Sequence, residues 1–387
     1  MRDIKECLTI EDLRQQARRR LPKMFFDYTE SGSWQEQSLA RNRADFDTIG
    51  LTQRVAAGLS SLSAQSAMLG QPVRLPCAIA PTGLGGMMYA DGEIHAARAA
   101  QKFGVPYTLS TMSICAIEDV AAAVDHPFWF QLYVMRDRNF CFQLIDRARA
   151  ADCSALVLTV DLPLMGQRHR DVRNGLSAPP KPTVSNLLNL ATRPAWVWDF
   201  VFAKHRGFGN IKNYQNAASD TASLSAWIGE QFDPAIAWDD VARFREHWGD
   251  RRFIVKGIMH PADALAAIQA GADAIIVSNH GGRQLDGAPS PISVLPEIVK
   301  HVGGRAEVWM DSGIRSGQDV LKALASGAAG VMLGRAFLYG LAAGGEAGVT
   351  RCLEIIEQEL VSSMGLCGVG SIDAITADVI HSPARAG

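Results

Sequence analysis

Residues 270–283, Ala270-Gly271-Ala272-Asp273-Ala274-Ile275-Ile276-Val277-Ser278-Asn279-His280-Gly281-Gly282-Arg283, run from a helix end through an apolar segment into a polar, glycine-rich turn. Glycine suits the left-handed position just past a helix, and the apolar run that follows reads as a strand. Ser326-Gly327-Ala328-Ala329 leads into Gly330–Leu333 in the same way. Outward from these blocks, the phrase of apolar run, polar turn and alanine-rich helix repeats from about Leu75 onward. Candidate strands lie at Pro76–Ala80, Tyr107–Leu109, Trp129–Tyr133 and Ala155–Val160, then at Phe253–Val255, Ala274–Val277, Glu307–Met310 and Gly330–Leu333. Eight such units predict an α/β protein, a (β/α)8 TIM barrel with its active site at the strand C-termini. A doubly wound open sheet is the alternative; it would usually carry GxGxxG after its first strand, and Pro81-Thr82-Gly83-Leu84-Gly85-Gly86 lacks that spacing.

The 387 residues include 38 Lys and Arg against 40 Asp and Glu, a net charge of −2, with 48% hydrophobic residues. That balance describes a soluble globular chain and disfavours nucleic acid as a partner. No apolar run approaches the roughly 18–20 residues that a membrane-crossing helix needs. Met1–Met24 reads as a surface helix and not a targeting peptide. The seven cysteines are scattered, without CxxC or histidine spacing, so reduced thiols in the cytoplasm and no metal site are expected. Three units are predicted: an N-terminal helical cap over 1–74, the barrel over 75–345, and a C-terminal helix and tail over 346–387, with the helix at Arg351–Met364. A long insertion after the fourth strand, about 174–232, holds Pro179, Pro180 and Pro182, then Trp196, Trp198, Phe200 and Phe202. A connection of that length is normally functional, mobile or an interface.

The strand ends carry Asp161, Lys256, His280 with Arg283, and Asp311 with Arg315. A lone buried histidine is more often structural, but His280 lies among small residues that leave its ring accessible. A histidine and a carboxylate on neighbouring strand ends suit general base catalysis, with Asp161 holding the tautomer of His280 and stabilising its imidazolium. Arg283, three residues on, suits bidentate docking of a substrate carboxylate. Gly313, Arg315, Gly334 and Arg335 follow the last two strands, where barrels commonly bind phosphate; glycines there also serve ordinary tight turns.

Several blocks resemble the FMN-dependent L-2-hydroxy-acid dehydrogenase and oxidase family, in order from about residue 10 to residue 365. They are Leu21-Pro22-Lys23-Met24 with Asp27-Tyr28 and Ser31-Gly32, Pro81-Thr82-Gly83, Gln131-Leu132-Tyr133-Val134, Thr159-Val160-Asp161, Val255-Lys256-Gly257, Ser278–Asp286 and Asp311–Arg315. Phe130–Arg138, Pro194–Asp199 and Gln231–Pro234 are most similar to the bacterial quinone-linked L-lactate dehydrogenase branch. The resemblance implies FMN at the barrel mouth, with its phosphate on Gly313, Arg315, Gly334 and Arg335 and with Thr82, Gly83, Ser278 and Asp311 also in its binding site. Ser110, Gln131, Thr159 and Lys256 would lie at its ring, where a cationic Lys256 would stabilise the reduced flavin.

It further implies that Arg283, Tyr28 and Arg168 bind the substrate carboxylate, that Tyr133 bonds the α-hydroxyl, and that His280 is the catalytic base with Asp161. Hydride transfer and a carbanion route both need that base. The implied reaction is oxidation of an L-2-hydroxy acid, L-lactate before glycolate, mandelate or larger acids, with Leu164, Met165, Gly83 and Met112 facing the side chain. Gly83 stands where several oxygen-using relatives carry alanine, which favours a quinone or other carrier over O2. The aromatic set with Lys204, Arg206 and Lys212 reads as a peripheral membrane contact through about 186–212 on the cytoplasmic face of the inner membrane, or as a lid or subunit contact. A homo-oligomer is the family expectation. The opposing classes are a Schiff-base aldolase using Lys256 without flavin and a non-catalytic FMN-binding scaffold.

Overall fold

The structure, a computed structural model, describes residues 3–176, 183–211 and 231–381. Eight parallel strands form its centre: β1 (Cys77–Ile79), β2 (Thr108–Ser110), β3 (Trp129–Tyr133), β4 (Ala155–Thr159), β5 (Arg252–Ile258), β6 (Ala274–Val277), β7 (Glu307–Met310) and β8 (Gly330–Leu333). They pair in the order β1-β8-β7-β6-β5-β4-β3-β2. Ile79 bridges Tyr107 and its N–H donates to the Pro106 carbonyl at 2.8 Å, so the ends meet and the sheet closes into the expected barrel. Closure buries both faces of a strand: every residue of β1, β2, β4, β6 and β8 is buried, which is why these strands read as unbroken apolar runs.

One strand face fills the barrel with Ala78, Val157, Ile254, Ile276 and Met332, and with Trp129 stacked on Trp309 at 5.3 Å. An antiparallel hairpin, Ser66–Met68 with Gln71–Val73, adds Met68, Leu69 and Val73 to that interior cluster. The N-terminal 74 residues are thus not purely helical. They hold α1 (Ile10–Arg20), α2 (Lys23–Glu30) and α3 (Gln37–Asp47), this hairpin, and Gly50–Leu51, which pairs with Ile380–His381 and joins the two ends of the chain.

The connecting helices are α4 (Gly92–Phe103), α5 (Ile117–Ala121) and α6 (Arg138–Ala150), then α7 (His169–Arg173), α8 (Val184–Ala191) and α9 (Pro194–Phe202) in the long insertion. After α10 (Trp238–Trp248) the rhythm resumes with α11 (Pro261–Gln269), α12 (Pro291–Val302) and α13 (Gly317–Ala325). The helix expected at Arg351–Met364 is the second part of a longer element, α14 (Arg335–Leu366), broken at Gly344 and Gly345. The two parts meet at Gly340 and Gly348, where a Cβ on either glycine would lie within 2.3 Å of the other's carbonyl oxygen.

The insertion's aromatic residues divide between two faces. Trp196 is only 6% exposed, stacks on Phe200 at 5.0 Å and donates its indole N–H to the Met87 carbonyl at 2.8 Å. Trp198 and Phe202 point outward at 67% and 66% exposure, beside exposed Val184, Leu187, Leu188 and Val201. Residues four apart share a helix face and residues two apart do not, so the expectation that all four rings act together fails for Trp196 and Phe200. Pro179, Pro180, Pro182 and Lys212 lie outside the described residues. Among the described residues, no helix is long and apolar enough to cross a membrane.

Candidate active site

The strand ends and α2 enclose one cavity at the C-terminal mouth of the barrel, about 1300 Å³ with its open entrance included. Tyr28, Thr82, Gly83, Tyr133, Thr159, Arg168, Lys256, His280, Arg283, Asp311, Gly313, Arg315, Gly334 and Arg335 all line it. Asp161, Ser110, Gln131 and Ser278 do not; their contacts place them behind those side chains.

His280 follows β6 with a φ of +58°, a left-handed conformation held by the Ser278 Oγ, which accepts the His280 N–H at 3.1 Å. Its Nδ1 lies 2.8 Å from Asp161 Oδ1 and its Nε2 lies 3.5 Å from the Tyr133 hydroxyl. An ionised carboxylate only accepts, so the neutral ring carries its proton on Nδ1 and presents the Nε2 lone pair toward Tyr133. Burial holds the pKa of His280 below the usual histidine value despite the attraction of Asp161. Burial pushes the Asp161 carboxyl up, but the charges of His280 and Lys256 and the hydrogen bond outweigh it, leaving it below the usual carboxylate range. The pair is a neutral base backed by an anion.

Lys256, at the end of β5, donates to Ser278 Oγ at 2.7 Å and pairs with Asp311 Oδ2 at 2.9 Å. Burial works against its charge, yet Asp311 and Asp161 overcome it and the pKa rises. A lysine held as an ammonium is a poor nucleophile, which removes the physical basis for a Schiff-base aldolase. Asp311 also accepts from the Ser312 hydroxyl at 2.7 Å, and Ser312 Oγ in turn accepts the Gly281 N–H at 2.9 Å.

Two of the guanidiniums that line the cavity, those of Arg283 and Arg168, lie close together. Arg283 Nη1 donates to the carbonyls of Tyr28 at 2.7 Å and Ser31 at 2.9 Å, and the group lies 4.7 Å over the Tyr28 ring. Its Nη2 and the Arg168 Nε are buried without a hydrogen-bond partner. Burial and the neighbouring Arg283 charge lower the pKa of Arg168. Buried cationic donors without acceptors are costly, so this corner is built for an anion. Sequence reasoning missed Asp171, whose carboxylate stands 3.9 Å from both arginines and accepts from Ser31 Oγ at 2.9 Å. Its only trace in the sequence is its place three residues after Arg168 on α7.

The cofactor end has its own unspent polar groups. Gln131 Oε1 accepts from Ser110 Oγ at 3.0 Å and from the Thr111 N–H at 3.3 Å. A backbone N–H only donates, so the amide orientation is fixed and the Gln131 Nε2 is left buried and unpartnered. Thr159 Oγ1, on the adjacent strand, is also unpartnered. A Cβ on Gly334 would meet nothing within 4 Å, and Gly313 has a φ of +99°. Free donors, one ammonium and the open space at Gly334 suit FMN, a polar ring with a phosphate tail.

Arg335 differs from expectation. Its guanidinium donates to the carbonyls of Thr29 at 2.7 Å, Gly281 at 2.9 Å and Ser31 at 2.8 Å, so three backbone oxygens occupy it. Burial, then Arg283 and Arg315, bring its pKa down to about 9. Among the described residues, Arg315 makes one side-chain hydrogen bond, from Nη1 to the Ile314 carbonyl at 2.7 Å, and so has more donors unspent than Arg335. On the apolar side, Met165 and Met112 line the cavity as expected with Leu162, Phe208 and Phe232, whereas Leu164 turns to solvent at 66% exposure.

Comparison with known proteins accords with this geometry. The L-lactate dehydrogenase of Ectopseudomonas mendocina (strain ymp) is 46% identical over 370 residues, 95% of this chain and 97% of that protein. That of Pectobacterium atrosepticum is 46% identical over 368 residues, 95% of each chain. Among solved structures, the monotopic membrane protein (S)-mandelate dehydrogenase superposes with a TM-score of 0.92 at 36% identity, over 98% of this chain and 100% of that one. The chemistry common to the site and these relatives is FMN-dependent oxidation of the CH–OH group of a 2-hydroxy acid. Residues 17–382 match the FMN-dependent dehydrogenase family, and the chain belongs to that family.

Proposed function

We propose that the chain oxidises L-lactate to pyruvate and passes the electrons to a membrane quinone. The observation that carries this reading is the His280–Asp161 pair, with Nε2 presented on the cavity side beside the unpartnered donors of Arg283 and Arg168. Arg283 and Arg168, with Tyr28, hold the substrate carboxylate; the Tyr133 hydroxyl, 3.5 Å from Nε2, orients the α-hydroxyl. His280 Nε2 receives one proton as the substrate gives up two electrons, and Asp161 stabilises the imidazolium. Asp171, 3.9 Å from each, offsets the repulsion between the two arginines. FMN, when bound, supplies the two-electron acceptor. Gln131, Thr159 and Lys256, with Ser110 and Ser278 behind them, serve its ring, Lys256 favouring its reduced, anionic form. Thr82 and Gly83 border it, while Gly313, Arg315 and Gly334 take the phosphate; Asp311 and Arg335 shape that end through Lys256 and the backbone.

L-Lactate as substrate is supported by the names of the relatives at 46% identity. Quinone as acceptor is supported by the outward apolar face of α8 and α9, with exposed Lys204 and Arg206 following it. That face suits insertion into the interface of an anionic bilayer, on the cytoplasmic side of the inner membrane, and the neighbour described as monotopic fits the same picture. A homo-oligomer is part of this reading. Mandelate is a second reading, favoured by the apolar lining of Leu162, Met165, Phe208 and Phe232.

Anaerobic mixing with L-lactate, D-lactate, glycolate and (S)-mandelate, with flavin absorbance recorded, tests the substrate. Fastest bleaching by L-lactate is expected; fastest bleaching by (S)-mandelate would transfer the assignment. Reoxidation by a ubiquinone analogue much faster than by O2 is expected, and the reverse order would make the enzyme an oxidase.

A further inference from the structure

We propose that Asp91, Cys115 and His205 form a binding site for one thiophilic divalent cation, Zn2+ by chemical class, where the insertion packs against the barrel's loops. The three ligand atoms, one from each residue, lie within 4.8 Å of one another. Cys115 and His205 are 90 residues apart and Asp91 lies on a third segment, so sequence spacing gives no sign of the cluster. The expectation of no metal site rested on spacing alone.

The ligand chemistry is selective. A thiol, an imidazole and a carboxylate together favour zinc over the hard cations that prefer oxygen alone. Asp91 Oδ1 is 2.7 Å from His205 Nδ1, and Cys115 Sγ is 3.8 Å from the same nitrogen. His205 Nε2, on the far side of the ring, is 3.1 Å from Asp119 Oδ1. A carboxylate accepting the Nε2 proton leaves Nδ1 free to ligate, which is the usual outer arrangement around a metal-bound histidine.

The two distances to His205 Nδ1 are close to those of a filled site. Zinc bonds of about 2.0–2.3 Å in a tetrahedron put neighbouring ligand atoms about 3.3–3.6 Å apart. Asp91 Oδ1 must therefore draw back by about half an ångström and Cys115 Sγ move in by less, relative to His205 Nδ1. Cys115 is buried, while Asp91 and His205 are partly exposed. Without the cation, burial and the charge of Glu93 push the Cys115 thiol up. An entering cation displaces the thiol proton and binds His205 at Nδ1, with the ring proton on Nε2 toward Asp119.

Such an ion would join three segments: the turn ahead of α4, the loop after β2 and the return from α9. The loop after β2 also carries Met112 at the cavity wall. The site is independent of which 2-hydroxy acid is oxidised.

The test uses tag-free holoenzyme dialysed against a chelator, then titrated with Zn2+ by calorimetry and with Cd2+ while the thiolate absorption band in the ultraviolet is followed. One equivalent per chain and a Cd2+–thiolate band are expected. C115S should abolish the band, and D119N should keep it while weakening Zn2+ by about 10–100-fold. D91N, on a partly exposed residue, serves if C115S does not fold, and should remove the rise in melting temperature that Zn2+ gives the wild type. Absence of stoichiometric Zn2+ uptake by the wild type would overturn the proposal, as would unchanged Zn2+ binding in both C115S and D91N.

Discussion

Replacing Asp161 by Asn isolates the role of charge behind the base. The substitution keeps the side chain's size at a 2.8 Å contact and removes one anion beside a ring that must become a cation during the reaction. With charge centres about 4 Å apart and an effective dielectric of about 20, the lost attraction is about 4 kcal/mol. At about 1.4 kcal/mol per tenfold, the rate of flavin reduction should fall by about 10³-fold. A second signature distinguishes this from general damage. In the proposed reaction the active form of His280 is neutral, so activity should rise with pH through its pKa, and burial places that limb below the ordinary histidine value of about 6.5. Asp161 raises the pKa of His280, so removing it should move the acid limb to still lower pH while the plateau falls. The assay is anaerobic stopped-flow bleaching of the flavin from pH 5 to 9, with flavin content and melting temperature as controls. A rate within tenfold of wild type, or an acid limb displaced upward, would refute the reasoning.

Lys256→Met should leave Asp311 buried without its partner, costing about 3–5 kcal/mol of stability in chemical denaturation. The double variant K256M/D311N should regain much of that stability while flavin reduction stays impaired. Arg283→Lys should raise KM for the hydroxy acid by at least about tenfold, because a lysine cannot present two parallel donors, and saturation kinetics would show it. Trp198→Ser with Phe202→Ser should abolish co-sedimentation with anionic vesicles and leave turnover with a soluble dye intact. Trp196→Ala should instead destabilise the fold by about 3–5 kcal/mol, since that ring is packed and not presented to lipid.

The barrel was legible because closure buries both faces of most strands, so β4 and β6 appear in the sequence as plain apolar runs between turns. His280, Asp161 and Arg283 were legible because the polar residue after each such run must fall at the mouth. Asp171 and Ser31 were not, since their value lies in a contact spanning 140 residues that no local pattern encodes. Arg335 was found in the correct place, but three carbonyls supplied by folded backbone decide what its guanidinium does. The run Trp196–Phe202 shows another limit. Its composition is uniform, and only the docking of one helix face onto Phe25 and Met87 separates an anchor ring from a solvent-facing one.

Arg283 and Arg335 both hold the carbonyl of Ser31, across 252 and 304 residues of chain. Contacts of such separation form only after the loop between them has been closed, and that entropy is spent before the contact returns anything. The barrel strands zip largely between neighbours in sequence, but the substrate corner waits for the first thirty-one residues to dock on the last third of the chain. A chain that has lost its first thirty-one residues would therefore keep every barrel strand and still lack the carbonyls that hold Arg283 and Arg335 in place.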